Sequence, residues 1–207
     1  MKRDAYRLVL VSLFAAMISV GAVFSLPLPP PLPPVTLAVF FSLLSGLVLG
    51  PLWGLATTGL YLGLGSVGLP VFANGAGGLG QFAGPTGGFL LGYAAAAVVA
   101  GAIADRRTWG FVRAAFGAIA GVVALYAIGL PWFRAVLDAR PDKDVSMLAA
   151  FMIMGPYLAG DLVKAAAAAA LVKALRPLLL NYLPVGSRRP GVEKRGLSPK
   201  KPDEDRA

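Results

Sequence analysis

The sequence predicts an all-α, polytopic membrane protein with six transmembrane helices. Of its 207 residues, 57% are apolar and 14% are charged, and the mean hydropathy is +0.72. Soluble domains carry more charge than this on their surfaces. No Asp, Glu, Lys or Arg occurs between Arg7 and Asp105, and this stretch is too long to be the core of one soluble domain. The chain is therefore expected to be surrounded by lipid.

The positively charged residues at the ends of the predicted spans indicate how the chain is oriented. They precede the first span, flank a central break, and lie at or after the last span: Lys2, Arg3, Arg7; Arg106, Arg107, Arg113; Arg176, Arg188, Arg189, Lys194, Arg195, Lys200, Lys201. Because cytoplasmic segments are rich in Lys and Arg, both termini are predicted to be cytoplasmic. This placement also explains the net charge of +9 better than nucleic-acid binding does.

The first three spans are delimited by proline and glycine. The first span is predicted at residues 8–26, because prolines in residues 27–34 lack the amide donor that a helix needs. This span is too long for a signal peptide and is followed by others, so it is predicted to be retained. Only Gly50-Pro51, a tight-turn signal, separates spans 36–50 and 52–65. These two are predicted to form an antiparallel hairpin.

The other three spans are predicted at residues 86–104, 111–131 and 148–175. Residues 1–183 are then expected to form the six-helix membrane domain. Residues 184–207 mix Gly, Pro and charged residues without apolar periodicity, which predicts a disordered, basic cytoplasmic tail.

Two charged residues, Asp161 and Lys164, interrupt the otherwise apolar sixth span. Their spacing of three places them on one face of the helix. A charge at the centre of a spanning helix costs about 2.5–3.5 kcal/mol, so the pair is predicted to face protein, water or a ligand. Asp161 suits the N–H donors of a urea or amide, and Lys164 suits a carbonyl or carboxylate oxygen. The alternatives are an ion pair that only fixes packing, or a position near the outer interface where Lys164 reaches water.

The glycine-rich segment 66–88, between the third and fourth spans, is predicted to be embedded in the membrane. Glycine permits close approaches that side chains would block, and irregular backbone at membrane depth is tolerated where it is buried or lines a cavity. Asn74, Gln81 and Thr86 offer uncharged hydrogen-bonding groups in this segment, and with Asp161 and Lys164 they are predicted to bind a substrate. The alternative is a flexible outer loop.

The absence of histidine and cysteine from the sequence argues against an enzyme. It removes histidine bases, thiol nucleophiles and Cys/His zinc sites, so no catalytic residue, metal or cofactor is predicted. A membrane enzyme would depend on Asp161 and Lys164 without a second catalytic element. A channel usually repeats polar residues along several spans, whereas here they concentrate in one loop and one helix.

Several segments, in the same order along the chain, resemble the BioY family of biotin-specific S components of energy-coupling-factor transporters. They are residues 64–73 (LGSVGLPVFA), 77–78 (GG), 84–93 (GPTGGFLLGY) and 160–164 (GDLVK). The resemblance covers about residues 8–180. It implies a six-helix fold that holds biotin near the outer face of a prokaryotic cytoplasmic membrane, with Asp161, Lys164 and Asn74 as ligand contacts.

The resemblance also implies partners. Members of this family commonly work with a transmembrane coupling subunit and two ATPase subunits, and this chain has no GxxxxGK[ST] phosphate-binding loop of its own. Small residues on the first span, which are Ser12, Ala15, Ala16 and Ser19, are predicted to dock the coupling subunit; the alternative is packing against another span. An S component for another small vitamin and a stand-alone facilitator or channel stay open as alternative functions.

Overall fold

The computed structural model describes residues 2–26, 28, 32–104, 110–139 and 146–182, in which the regular elements are helices. The predicted tail at residues 184–207 lies outside the described residues. The helices are α1 (Lys2–Val23), α2 (Ala38–Leu49), α3 (Pro51–Ser66), α4 (Gly80–Ala83), α5 (Gly87–Ile103), α6 (Phe111–Asp138) and α7 (Met147–Tyr182), with a 3-10 turn at Ala73–Gly75. In these ranges no strand forms; Leu26 and Val35 make one isolated antiparallel bridge.

The break between α2 and α3 lies at the predicted glycine and proline. Gly50 adopts φ +89°, a conformation that glycine reaches without a steric penalty. Pro51 is the first residue of α3, where its missing N–H costs no helical hydrogen bond. The two helices contact each other, as expected of a hairpin.

Helix α1 begins and ends earlier than the predicted residues 8–26, and two later helices extend well past their predicted ends. Helix α6 does not end at residue 131 but contains Pro131 and continues to Asp138, and α7 continues past residue 175 to Tyr182. The added turns of α6 bury Phe133 and Leu137, which pack in one cluster with Ala150 and Met154 of α7. The free energy gained by packing these side chains against α7 exceeds the cost of the backbone hydrogen bond that Pro131 cannot form.

Helix α2 lies at the centre of the bundle. It contacts α1, α3, α5, α6 and α7, and ten of its twelve residues are buried. A helix that is apolar on all sides is expected to lie in such a position. The other long helices therefore surround α2 and leave apolar side chains on the outside, such as Val112, Phe116 and Val123 of α6.

Among the described residues, two helical segments are long and apolar enough to cross a membrane, Tyr6–Val23 and Phe111–Asp138. Two apolar helices are shorter, Ala38–Leu49 and Gly87–Ile103. The number of spans and the side of the membrane on which the termini lie stay predictions.

The contact between α2 and α5 depends on glycine at position 46. A Cβ atom at Gly46 would collide with the backbone carbonyl of Ala97. Because a backbone atom cannot move aside as a side chain can, any larger residue would push the two helices apart.

We expect Gly46→Ala to lower the free energy of unfolding by about 1–3 kcal/mol, the usual cost of overpacking. Gly59→Ala is the matched control, because Gly59 is also helical and has open space around its Cβ position. Alanine at an open helical site is expected to be neutral or to stabilise by up to about 1 kcal/mol. The midpoints of thermal unfolding in detergent measure both effects, and equal midpoints for the two variants would contradict the prediction.

Candidate functional site

A cavity of about 240 Å³ lies at one end of the helical bundle. Its wall includes Ala22 near the end of α1, Thr36 just before α2, Tyr61 near the end of α3 and Leu90 near the start of α5. These helix ends adjoin the proline-rich and glycine-rich connectors. The volume lies slightly below the usual range for ligand pockets, about 300–1,000 Å³, so the cavity suits a small molecule.

All five residues predicted to bind a substrate line this cavity. Asp161 and Lys164 enter the wall from α7, whereas Asn74, Gln81 and Thr86 enter it from the segment between α3 and α5. The fold thus brings together two groups that are far apart in sequence. That these side chains contact a ligand stays a prediction.

The charged pair on α7 is largely buried, and its two members are bonded to each other. Lys164 Nζ donates to Asp161 Oδ1 at 2.8 Å, and the two side chains are only 16% and 8% exposed. The hydroxyl of Tyr126 on α6 donates to the other carboxylate oxygen, Oδ2, at 2.9 Å. Each oxygen of Asp161 therefore has a partner, as a buried carboxylate requires.

Tyr126 was not predicted from the sequence. It lines the cavity, and its ring packs edge-on against Phe89 of α5 with the centroids 5.6 Å apart. A tyrosine in an apolar helix could have indicated such a contact, because a buried tyrosine hydroxyl usually has a hydrogen-bond partner. That signal does not identify the partner, which lies 35 positions away on another helix.

The bonded pair retains capacity for a ligand. Each carboxylate oxygen has two lone-pair sites and an ammonium group has three donors, so one internal bond to each atom leaves further sites. Asp161 can accept from a ligand N–H while Lys164 donates to a neighbouring carbonyl oxygen. A urea or amide carries these complementary groups side by side.

Asn74 is held in place by the end of α1. It lies in the 3-10 turn with φ +57°, a left-handed conformation that asparagine tolerates better than most residues. Ser25 Oγ donates to Asn74 Oδ1 at 2.8 Å, and the backbone N–H of Asn74 donates to Ser25 Oγ at 3.2 Å. These bonds use the amide oxygen of Asn74, so its side-chain nitrogen is the donor that a ligand would meet.

Aromatic rings form part of the cavity wall near Asn74. Phe72 is buried and packs edge-on against Tyr61, with the ring centroids 5.4 Å apart. This packing requires glycine at position 65, because a Cβ atom there would overlap the ring of Phe72. The Tyr61 hydroxyl is buried and has no hydrogen-bond partner among the described residues.

Both connectors are fastened at the cavity. Leu26 and Val35 exchange backbone hydrogen bonds of 2.9 and 3.0 Å across the proline-rich connector, and Tyr157 of α7 donates to the Pro33 carbonyl at 2.7 Å. In the second connector, Trp132 Nε1 of α6 donates to the Gly84 carbonyl at 3.0 Å. The proline-rich connector is therefore tied to α7, and the glycine-rich connector to α6.

The four small residues of α1 do not share one surface. Ser12 and Ala16 are exposed, Ser19 is partly buried, and Ala15 is only 1% exposed and belongs to the core. The alternative of internal packing thus applies to Ala15. Ser12 and Ala16, which are four residues apart on the outer side of α1, are available to a partner.

Comparisons with known proteins identify a family and several similar proteins. A family model described as "BioY family" matches residues 1–181. "Biotin transporter BioY" of Rhodobacter capsulatus is 43% identical over 162 residues, which cover 75% of this chain and 85% of that protein. "Biotin transporter BioY" of Thermotoga maritima is 37% identical over 173 residues, which cover 83% and 96% of the two chains.

A solved structure shares the fold. A crystal structure of the S-component for biotin from an ECF-type ABC transporter aligns with a TM-score of 0.73 and 22% identity, and the alignment covers 85% of this chain and 93% of that one. At this identity the likeness shows the fold alone.

We expect Tyr126→Phe to lower the free energy of unfolding by about 1.5–3 kcal/mol, because it removes a hydrogen bond to a charged group. Tyr157→Phe is the matched control, since it removes a bond to the neutral Pro33 carbonyl, worth about 0.5–1.5 kcal/mol. Thermal unfolding in detergent measures both. The loss from Tyr126→Phe should shrink in an Asp161→Asn background; an equal loss in both backgrounds would show that the bond is not what stabilises the fold.

Proposed function

The chain belongs to the BioY family, and we propose that it captures biotin as the substrate-specific subunit of an energy-coupling-factor transporter. The relatives named as biotin transporters support this assignment. The observation that carries it is the buried Asp161–Lys164 pair in the wall of a cavity that fits a small molecule.

The chemistry of biotin matches the cavity. Its cyclic urea has two N–H donors and one carbonyl acceptor, which suit Asp161 and Lys164 respectively. Its apolar ring and chain suit the aromatic wall around Phe72.

We propose that the urea of the ligand, rather than its carboxylate, binds at the ion pair. Lys164 Nζ already lies 2.8 Å from Asp161 Oδ1, so a carboxylate bound to Lys164 would lie close to a second negative charge. That repulsion is strong where the groups are buried. A neutral carbonyl oxygen avoids it.

The proposed setting is the cytoplasmic membrane of a prokaryote, crossed six times with both termini inside. Positive residues at the predicted cytoplasmic ends support this orientation, and in this orientation the cavity would face the outside.

A transmembrane coupling subunit and two ATPase subunits would supply the energy for transport, because the sequence carries no phosphate-binding loop of its own. The exposed small residues Ser12 and Ala16 would allow a helix of the coupling subunit to approach α1 closely.

We expect the purified protein to bind biotin and not thiamine or riboflavin. Asp161→Asn and Lys164→Met should each weaken biotin binding about ten- to hundredfold, the usual effect of losing a charge-assisted hydrogen bond. Isothermal titration of the detergent-solubilised protein measures the dissociation constants.

Asp138→Asn is the matched control for this titration. It removes a carboxylate from an ion pair with Arg134 that is about 40% exposed, and exposed pairs contribute little, so biotin binding should not change. A folded wild-type protein that does not bind biotin would overturn the proposed function. Binding of thiamine or riboflavin instead would point to another vitamin.

We expect Ala16→Leu to reduce biotin uptake by cells that contain the transporter partners, while the biotin dissociation constant of the purified variant stays the same. The larger side chain would hold the coupling subunit away from α1. Ala166→Leu, on an exposed position of α7, is the matched control. Equal uptake by the two variants would remove this face of α1 from the proposed interface.

A further inference from the structure

The described wall of the cavity is electrically balanced. Its charged side chains are Asp161 and Lys164, which contribute one negative and one positive charge. The two are bonded to each other at 2.8 Å. Within the part of the chain that the structure describes, the wall therefore offers no second cation to a negatively charged ligand.

The uncharged polar side chains of the wall come from the segment between α3 and α5. Asp161 is 6% exposed and Lys164 is partly buried, whereas Asn74 of this segment is exposed. Gln81 and Thr86 lie in the same connector as Asn74 and are partly buried. The polar side chains that this segment contributes to the wall are thus two amides and a hydroxyl.

From this distribution of charge we infer that the site recognises the neutral cyclic urea and does not require a charged group at the other end of the ligand. This site would therefore also bind biotin amides. They include the primary amide of biotin and biotin joined to a larger molecule through an amide bond. The inference rests on the proposed function, because it concerns the cavity proposed to hold biotin.

The physical reason is that uncharged hydrogen-bonding groups discriminate weakly between a carboxylate and an amide. Side-chain amides and hydroxyls donate to the oxygen of either group. A carboxylate near the exposed side of the cavity also keeps part of its hydration. A cation paired with the carboxylate would behave differently, because losing such a contact weakens binding about ten- to hundredfold.

The test compares the dissociation constants of biotin and of biotin primary amide for the full-length wild-type protein in detergent. We expect the two values to agree within about threefold, as for ligands that lose no charge-assisted contact. Binding of the amide that is tenfold weaker or more would overturn the inference and leave the proposed function intact. Failure of the folded protein to bind biotin would overturn both.

A second comparison asks which end of the ligand Lys164 serves. If Lys164 contacts the urea, Lys164→Met weakens biotin and its amide by the same factor, and the ratio of their dissociation constants stays at the wild-type value. If Lys164 contacts the carboxylate, the variant weakens biotin more than the amide, and the inference fails.

A double variant is needed in case Lys164→Met does not fold. Lys164→Met leaves Asp161 buried without its cation, which destabilises proteins by about 3–5 kcal/mol. Should that variant not fold, the double variant Asp161→Asn with Lys164→Met removes both charges together. The ratio of the two dissociation constants is then read from the double variant with the same two outcomes.

Discussion

The ion pair between Asp161 and Lys164 is the constraint on which the site depends. Two charges in an otherwise apolar helix are costly unless each is paired and hydrogen-bonded. The pair meets this condition through its internal bond of 2.8 Å and the Tyr126 hydroxyl on α6. Helices α6 and α7 must therefore lie side by side at this level, with the carboxylate facing the cavity.

Packing elsewhere in the bundle keeps the cavity at one end. The buried helix α2 contacts five other helices, and its Gly46 allows α5 to approach to backbone contact. The cavity opens where the helices end and the two connectors begin, because proline and glycine prevent regular helix packing there. Bonds from Tyr157 and Trp132 to connector carbonyls then fix the irregular segments, so the wall is ordered without being helical.

This arrangement suits capture and release of a molecule better than its chemical conversion. The cavity presents one bonded ion pair, uncharged hydrogen-bonding groups and aromatic rings, which are the complementary groups that the proposed urea-containing ligand would need. The energy for transport would come from partner subunits. The exposed small residues Ser12 and Ala16 of α1 do not line the cavity, so the proposed substrate site and the proposed partner surface are different parts of the molecule.

The sequence alone determined the helical class and the break at Gly50-Pro51, and it predicted five residues that the structure places in one cavity wall. These follow from local properties: hydropathy, the geometry of proline and glycine, and the cost of charge in an apolar helix. The sequence did not determine that α6 continues past Pro131, that Tyr126 bonds Asp161, or that Ala15 faces the core while Ser12 and Ala16 face outward. Each of these depends on contact between segments far apart in the chain. Only the packed tertiary structure sets which faces meet, and through them which hydrogen bonds form and which side chains share the cavity.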